Sequence, residues 1–169
     1  LPELMGLGRE AVEHGLAHTG HILSTSFMVL SASLLLIAAI AIRSSKQIPN
    51  GRSRPTIAFV PKALNSPFWG QMQAAAQAEA SSLGVELISL AADRETDVER
   101  QYQIIENLIE QRVDAILLSP AGSRELVPAI RKANDAGIPV LLLDTRIDEH
   151  AASAMGVRTA TYIGSDNFE

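Results

Sequence analysis

No cysteine occurs in the chain. Its absence excludes disulfides, a thiolate nucleophile, a cysteine-ligated metal and a lipid-modified cysteine, and it removes the usual pointer to redox compartment. Phosphate-cradling motifs are missing too. The strand-like residues 56–60 are followed by neither G-x-G-x-x-G nor a Walker lysine motif. His14, His18, His21 and His150 all lie away from the strand ends, so no Ser/His/Asp set forms. We therefore expect no enzyme and no cofactor. The sequence also has no low-complexity block. With 47% hydrophobic and 20% charged residues it reads as globular, one domain with an appendage. A net charge of −5 argues against a nucleic-acid partner.

The charge is unevenly spread. Residues 43–54 carry Arg43, Lys46, Arg52 and Arg54 and no acid, whereas residues 55–169 hold nine basic and sixteen acidic residues. The chain begins with Leu1 and ends at Phe168-Glu169, and we expect a fragment; Met5 and Met28 are both candidate initiators. Residues 1–25 form an N-terminal segment of uncertain character. In a helix, Glu10, His14, His18 and His21 would share one face, a spacing that can bind a metal. A histidine-bearing amphipathic helix without metal is the commoner outcome, and no metal site is assigned.

Residues 26–42 contain the uncharged run FMVLSASLLLIAAIAI, Phe27 to Ile42. It falls short of the ~20 residues that comfortably span a bilayer. Its length suits a signal-peptide core, and Ala39-Ile40-Ala41 offers an A-x-A cleavage site. Against cleavage, no basic residue lies just before the run; the basic cluster follows it instead, and the positive-inside rule would place that side in the cytoplasm. Export by one route or the other is the expectation, placing the folded part in the periplasm or at the cell surface. Residues 43–54 are a polar linker broken by Pro49, Asn50 and Gly51.

From Pro55 strand and helix patterns alternate. Strands are expected at Thr56–Val60, Val85–Leu90, Asp114–Leu118, Val140–Leu143 and Thr161–Ile163. The helix over Phe68–Leu83 has Ser66 as N-cap, Pro67 at its first position and Gly84 as its stop. A capping box of Thr96 and Glu99 opens the second helix, which buries Val98, Tyr102, Ile105, Leu108 and Ile109. Ser123 caps a third that ends before Gly137 and Pro139. This alternation predicts an α/β fold, a doubly wound, Rossmann-like parallel sheet of order 2-1-3-4-5.

In such sheets ligands sit beyond the C-terminal strand ends. There the sequence places Lys62, Asn65 and Ser66 with the aromatic pair Phe68 and Trp69, then Ser119, then Asp144, Thr145 and Arg146, and last Ser165, Asp166 and Asn167. Carboxylates and amides suit sugar hydroxyls, which donate and accept, and aromatic rings cover their C–H faces. Each residue also has a plainer role. Phe68 and Trp69 can pack the helix onto the sheet, Asp144 can cap a turn, Ser119 can be a turn hydroxyl, Ser165-Asp166-Asn167 can form an Asx turn, and Arg146 suits a surface charge.

At these residues the sequence resembles the sugar-binding family of periplasmic binding proteins, the ribose-binding type of ABC-transporter receptor. The resemblance covers residues 55–169 and lies in the combination of IAFVPKALNSPFW, VDAILLSP, AGIPVLLLD and YIGSDN. It implies two lobes of the type I periplasmic-binding-protein fold, clamping a monosaccharide or sugar-like polyol and delivering it to a membrane permease. This chain would hold the first lobe alone. The resemblance assigns the aromatic pair to Phe68 and Trp69, the hydroxyl-gripping aspartate to Asp144, and the polar pair near the lobe crossing to Ser165 and Asn167. Lys62 and Ser119 fall where the family's pocket is often lined. Ser66 stands where the family usually has Asn. Thr145 stands where ribose receptors have Arg, with Arg146 one place late, which departs from ribose as the ligand. Two other functions share this fold: the sensing domain of a membrane-anchored signalling protein, and the effector core of a LacI-type regulator. For the latter, an apolar run stands where a helix-turn-helix belongs.

Overall fold

The computed structural model describes residues 54–164. The apolar run Phe27–Ile42, the histidine-bearing N-terminal segment, most of the polar linker, and Ser165, Asp166 and Asn167 lie outside the described residues. In chain order the elements are β1 (Thr56–Val60), α1 (Pro67–Leu83), β2 (Glu86–Ser89), α2 (Val98–Glu110), β3 (Ala115–Leu118), α3 (Val127–Asp135), β4 (Val140–Leu143), α4 (Glu149–Ala154) and β5 (Thr161–Ile163). The five strands form one parallel sheet of order β2-β1-β3-β4-β5, as expected from the alternation.

The strands alternate their side chains between two apolar layers. Ala58, Val60, Ile116, Leu118 and Leu142 point into one layer with Ile104, Ile105 and Leu108 of α2 and Ala129 and Ile130 of α3. Ile57, Phe59, Leu117, Leu141 and Leu143 point into the other, against Ala76 and Ala80 of α1. β1, β3 and β4 are buried throughout, the pattern of strands covered on both faces. Each fully buried Ile, Leu or Phe contributes roughly 1.5–3 kcal/mol, so this sandwich holds the strand ends rigidly. α1 ends where Gly84 turns left-handed at φ 68°, which lets the Val85 amide donate back to the Ala80 carbonyl at 2.9 Å.

Three local expectations are corrected. The cap of α2 is Asp97, whose carboxylate accepts from the Arg100 amide at 3.0 Å. Thr96 and Glu99 form no box, because the helix begins one residue later and Glu99 accepts from the Gln103 side chain. α3 begins at Val127, well after Ser123: Pro128 has no N–H to donate to the Arg124 carbonyl, so the helical ladder starts beyond it. Ser66 occupies the N-cap of α1 with extended backbone, but its side chain makes no capping bond. The helix α4 was not expected. Among the described residues no helix is long and apolar enough to cross a membrane.

Candidate functional site

The sheet register decides which loops meet. Val60 pairs with Leu118, and Leu118 with Leu142. The residues that follow, Lys62, Ser119 and Asp144, therefore leave the sheet at one edge. The Ser119 amide donates to the Val60 carbonyl at 3.0 Å, which continues the β1–β3 pairing into the loops.

Two cooperating side chains stand at that edge. Lys62 Nζ lies 3.7 Å from Asp144 Oδ2, with both side chains half-buried. Thr145 Oγ1 donates to the same Oδ2 at 3.1 Å. Among the described residues nothing donates to Asp144 Oδ1, so the carboxylate keeps acceptor capacity toward solvent. The backbone of Asp144 is left-handed, φ 61°, a conformation uncommon outside glycine and best tolerated by Asn and Asp. β5 holds it there. The Asp144 amide donates to the Ile163 carbonyl at 2.9 Å, and Tyr162 Oη donates to the Asp144 carbonyl at 3.0 Å. Arg146 lies over the Tyr162 ring, its guanidinium carbon 3.8 Å from the centroid. It is thus a stacking residue as well as a surface charge.

The aromatic pair divides. Trp69 is buried, 3% exposed, and its indole N–H donates to Glu95 Oε1 at 2.8 Å. Phe68 is 37% exposed and meets Trp69 edge-on, ring centroids 4.7 Å apart. Of the two rings, Phe68 is the one a ligand can reach in this structure, while Trp69 packs the start of α1 and ties it to the loop before α2. Asn65 donates its side-chain amide to the Asp93 carbonyl at 3.1 Å and is exposed. Ser119 is fully buried and its Oγ has no partner among the described residues.

One residue of consequence was missed. Gln101 of α2 is fully buried. Its amide nitrogen donates to the Pro61 carbonyl at 3.2 Å and the Ser119 carbonyl at 2.9 Å, and its oxygen accepts from the Ala121 amide at 2.8 Å. It thereby locks the loops after β1 and β3 together. The available signal was its position: Gln101 falls on the helix face of Ile104, Ile105 and Leu108, where a polar residue needs partners.

The arrangement offers a carboxylate, an ammonium, a hydroxyl and an aromatic ring on a rigid edge. Among the described residues no group of three or more His, Cys, Asp or Glu side chains could hold a metal.

Comparison with known proteins agrees with this fold. The model of the periplasmic binding protein domain matches residues 57–169. A D-ribose/D-allose-binding protein of Pseudomonas aeruginosa is 37% identical over 116 residues, which are 68% of this chain and 36% of that protein. A ribose import binding protein of Bacillus subtilis is 30% identical, over 83% of this chain and 44% of that protein. The chain thus spans less than half the length of the curated relatives it matches. Among solved structures, an ABC transporter periplasmic solute binding protein from Actinobacillus succinogenes with bound D-allose has a TM-score of 0.64 at 37% identity, covering 68% of this chain and 40% of that one. A solute binding protein from Agrobacterium vitis bound with alpha-D-tagatopyranose has a TM-score of 0.61 at 32% identity, covering 68% of this chain and 39% of that one.

Proposed function

Given that the chain belongs to the periplasmic binding protein domain family, we propose that it is the first lobe of a sugar receptor serving an ABC importer. The observation that carries this reading is the Asp144 carboxylate. It is anchored at the strand edge, it is approached by Lys62 and Thr145, and its other oxygen accepts from nothing among the described residues. Such a carboxylate accepts from ring hydroxyls through charge-assisted bonds. Phe68 supplies the ring that covers a C–H face, Asn65 and Ser66 follow the same strand, and the resemblance in sequence adds Ser165 and Asn167, which lie outside the described residues. The ligand class is a monosaccharide or similar polyol, captured between two lobes and passed to a membrane permease. No reaction is performed on it. Relatives named for ribose, allose and apiose support the class.

Calorimetry of the full-length protein against D-ribose, D-allose and D-apiose tests the reading. One of them should bind at micromolar concentration or tighter, whereas residues 55–169 alone should bind nothing tighter than millimolar, because one lobe leaves half the ligand in water. Micromolar binding by the isolated lobe would refute the two-lobe clamp. Failure of the full-length protein to bind any of the three would remove the receptor assignment.

The same proposal routes the protein out of the cytoplasm through residues 26–42. N-terminal sequencing of the exported protein distinguishes the modes: a new terminus at Ile42 means a cleaved signal, and an intact terminus in the membrane fraction means an anchor. An uncleaved Phe27–Ile42 would favour a second reading, in which the lobe belongs to a membrane-anchored ligand sensor.

A further inference from the structure

We infer that Tyr162 is a positioning residue for ligand capture: its hydroxyl holds Asp144 in the left-handed conformation that aims the carboxylate along the strand edge. The inference rests on the proposed role of Asp144 in binding. A residue's conformation is set by the two peptide groups that flank its Cα. Both are pinned here, and by consecutive residues of one strand. The amide on the near side donates to the Ile163 carbonyl at 2.9 Å, and the carbonyl on the far side accepts from Tyr162 Oη at 3.0 Å. The first bond continues the β4–β5 ladder and any residue can make it. The second depends on one side-chain oxygen.

Two neighbours serve that oxygen. Gly164 leaves it room, since a Cβ there would lie 2.1 Å from Tyr162 Oη. Arg146 stacks over the ring that carries it, its guanidinium carbon 3.8 Å from the centroid. Left-handed backbone costs a non-glycine residue of order 1 kcal/mol or more and persists only where its surroundings over-determine it. Without the hydroxyl, the Asp144 carbonyl loses its partner, the far-side peptide is held only by the Thr145 amide donating to the Leu143 carbonyl at 2.5 Å, and the backbone can relax toward the ordinary region. The carboxylate would then swing away from Lys62 and Thr145.

The test uses the full-length protein and four forms: wild type, Tyr162→Phe, Asp144→Ala and the double variant. Affinities for D-ribose, D-allose and D-apiose are measured by calorimetry, and the backbone of Asp144 is followed by NMR without sugar. A strong cross-peak between its own amide and Hα protons marks positive φ. Tyr162→Phe should keep the fold, lose that cross-peak and bind about three- to tenfold more weakly, the worth of one hydrogen bond. In the Asp144→Ala background the Tyr162→Phe change should cost no further affinity, because the tyrosine acts through the carboxylate. If Tyr162→Phe retains the positive-φ signature, or weakens binding equally with and without Asp144, the positioning role is wrong. If Asp144→Ala weakens binding and Tyr162→Phe does not, only the positioning role falls. If Asp144→Ala binds as wild type, or no sugar binds at all, the site reading falls and takes this inference with it.

Discussion

Gln101 offers the sharpest test of how the strand edge is built. Replacing it with Met keeps the length and most of the volume but deletes three hydrogen bonds, to the Pro61 and Ser119 carbonyls and from the Ala121 amide. All three partners lose a bond in a region with no solvent access at residue 101. A net hydrogen bond contributes about 1 kcal/mol, and a buried polar group left unpaired costs about 1–3 kcal/mol. The apolar replacement recovers part of this through burial. The expected loss is therefore about 3 kcal/mol, read as a lower urea midpoint at unchanged slope in equilibrium unfolding. Gln101→Glu should be at least as damaging, since it turns the carboxylate toward two carbonyl oxygens and loses both donors. Sugar affinity of the folded fraction should fall as well, because the loops carrying Lys62 and Ser119 lose their common tie. A Gln101→Met protein within about 0.5 kcal/mol of wild type would refute the claim that this side chain clasps the two loops.

Other perturbations separate packing from binding. Trp69→Ala should cost about 3–5 kcal/mol of stability, as expected for a buried large aromatic, whereas Phe68→Ala should cost far less stability and weaken sugar affinity; thermal midpoints and calorimetry on both variants check this. The Asp148 carboxyl is held below the usual aspartate range, chiefly by the Ala151 amide that it accepts, with help from Arg124. A depressed carboxylate stabilises the fold above its ordinary pKa of 3.8 and withdraws that support as pH falls through the lowered value. The cap of α4 should therefore loosen only below about pH 4, seen as accelerated exchange of the Ala151 amide, and Asp148→Ala should show that loosening at neutral pH.

Much of the architecture was legible because apolar runs and breakers agree. Thr56–Val60, Val140–Leu143 and Thr161–Ile163 are strands with the expected limits, and Gly84 ends α1. The strand order is the expected 2-1-3-4-5, although the crossover rule fixes only the hand of each connection and not the order. Misplaced caps have a local cause: Thr96 and Asp97 are both good caps, and only the carboxylate's contact with the Arg100 amide decides between them. α4 was invisible because it buries no residue and so carries no apolar stripe. Lys62, Asp144 and Thr145 were legible as neighbours from the strand ends alone. The left-handed turn at Asp144 and its tyrosine support were not, since both depend on a partner strand that follows Asp144 in the sequence.

The strand order has a consequence for how the sheet is made. β1 is first in the sheet by sequence and lies inside it, and each later strand joins a neighbour already synthesised. The contact from Thr56 to β2 spans 30 residues and the one to the residue before β3 spans 58; the later steps, β3 to β4 and β4 to β5, close over shorter stretches. Loop-closure entropy grows with length, so the costliest search is the return of β3 to β1, and the outer strands then add at decreasing cost. In a chain emerging in order from its N-terminal end, β1 is paired on one edge by β2 while its other edge waits for β3. Assembly can keep pace with synthesis, and the growing sheet always presents its next open edge to the segment that arrives next.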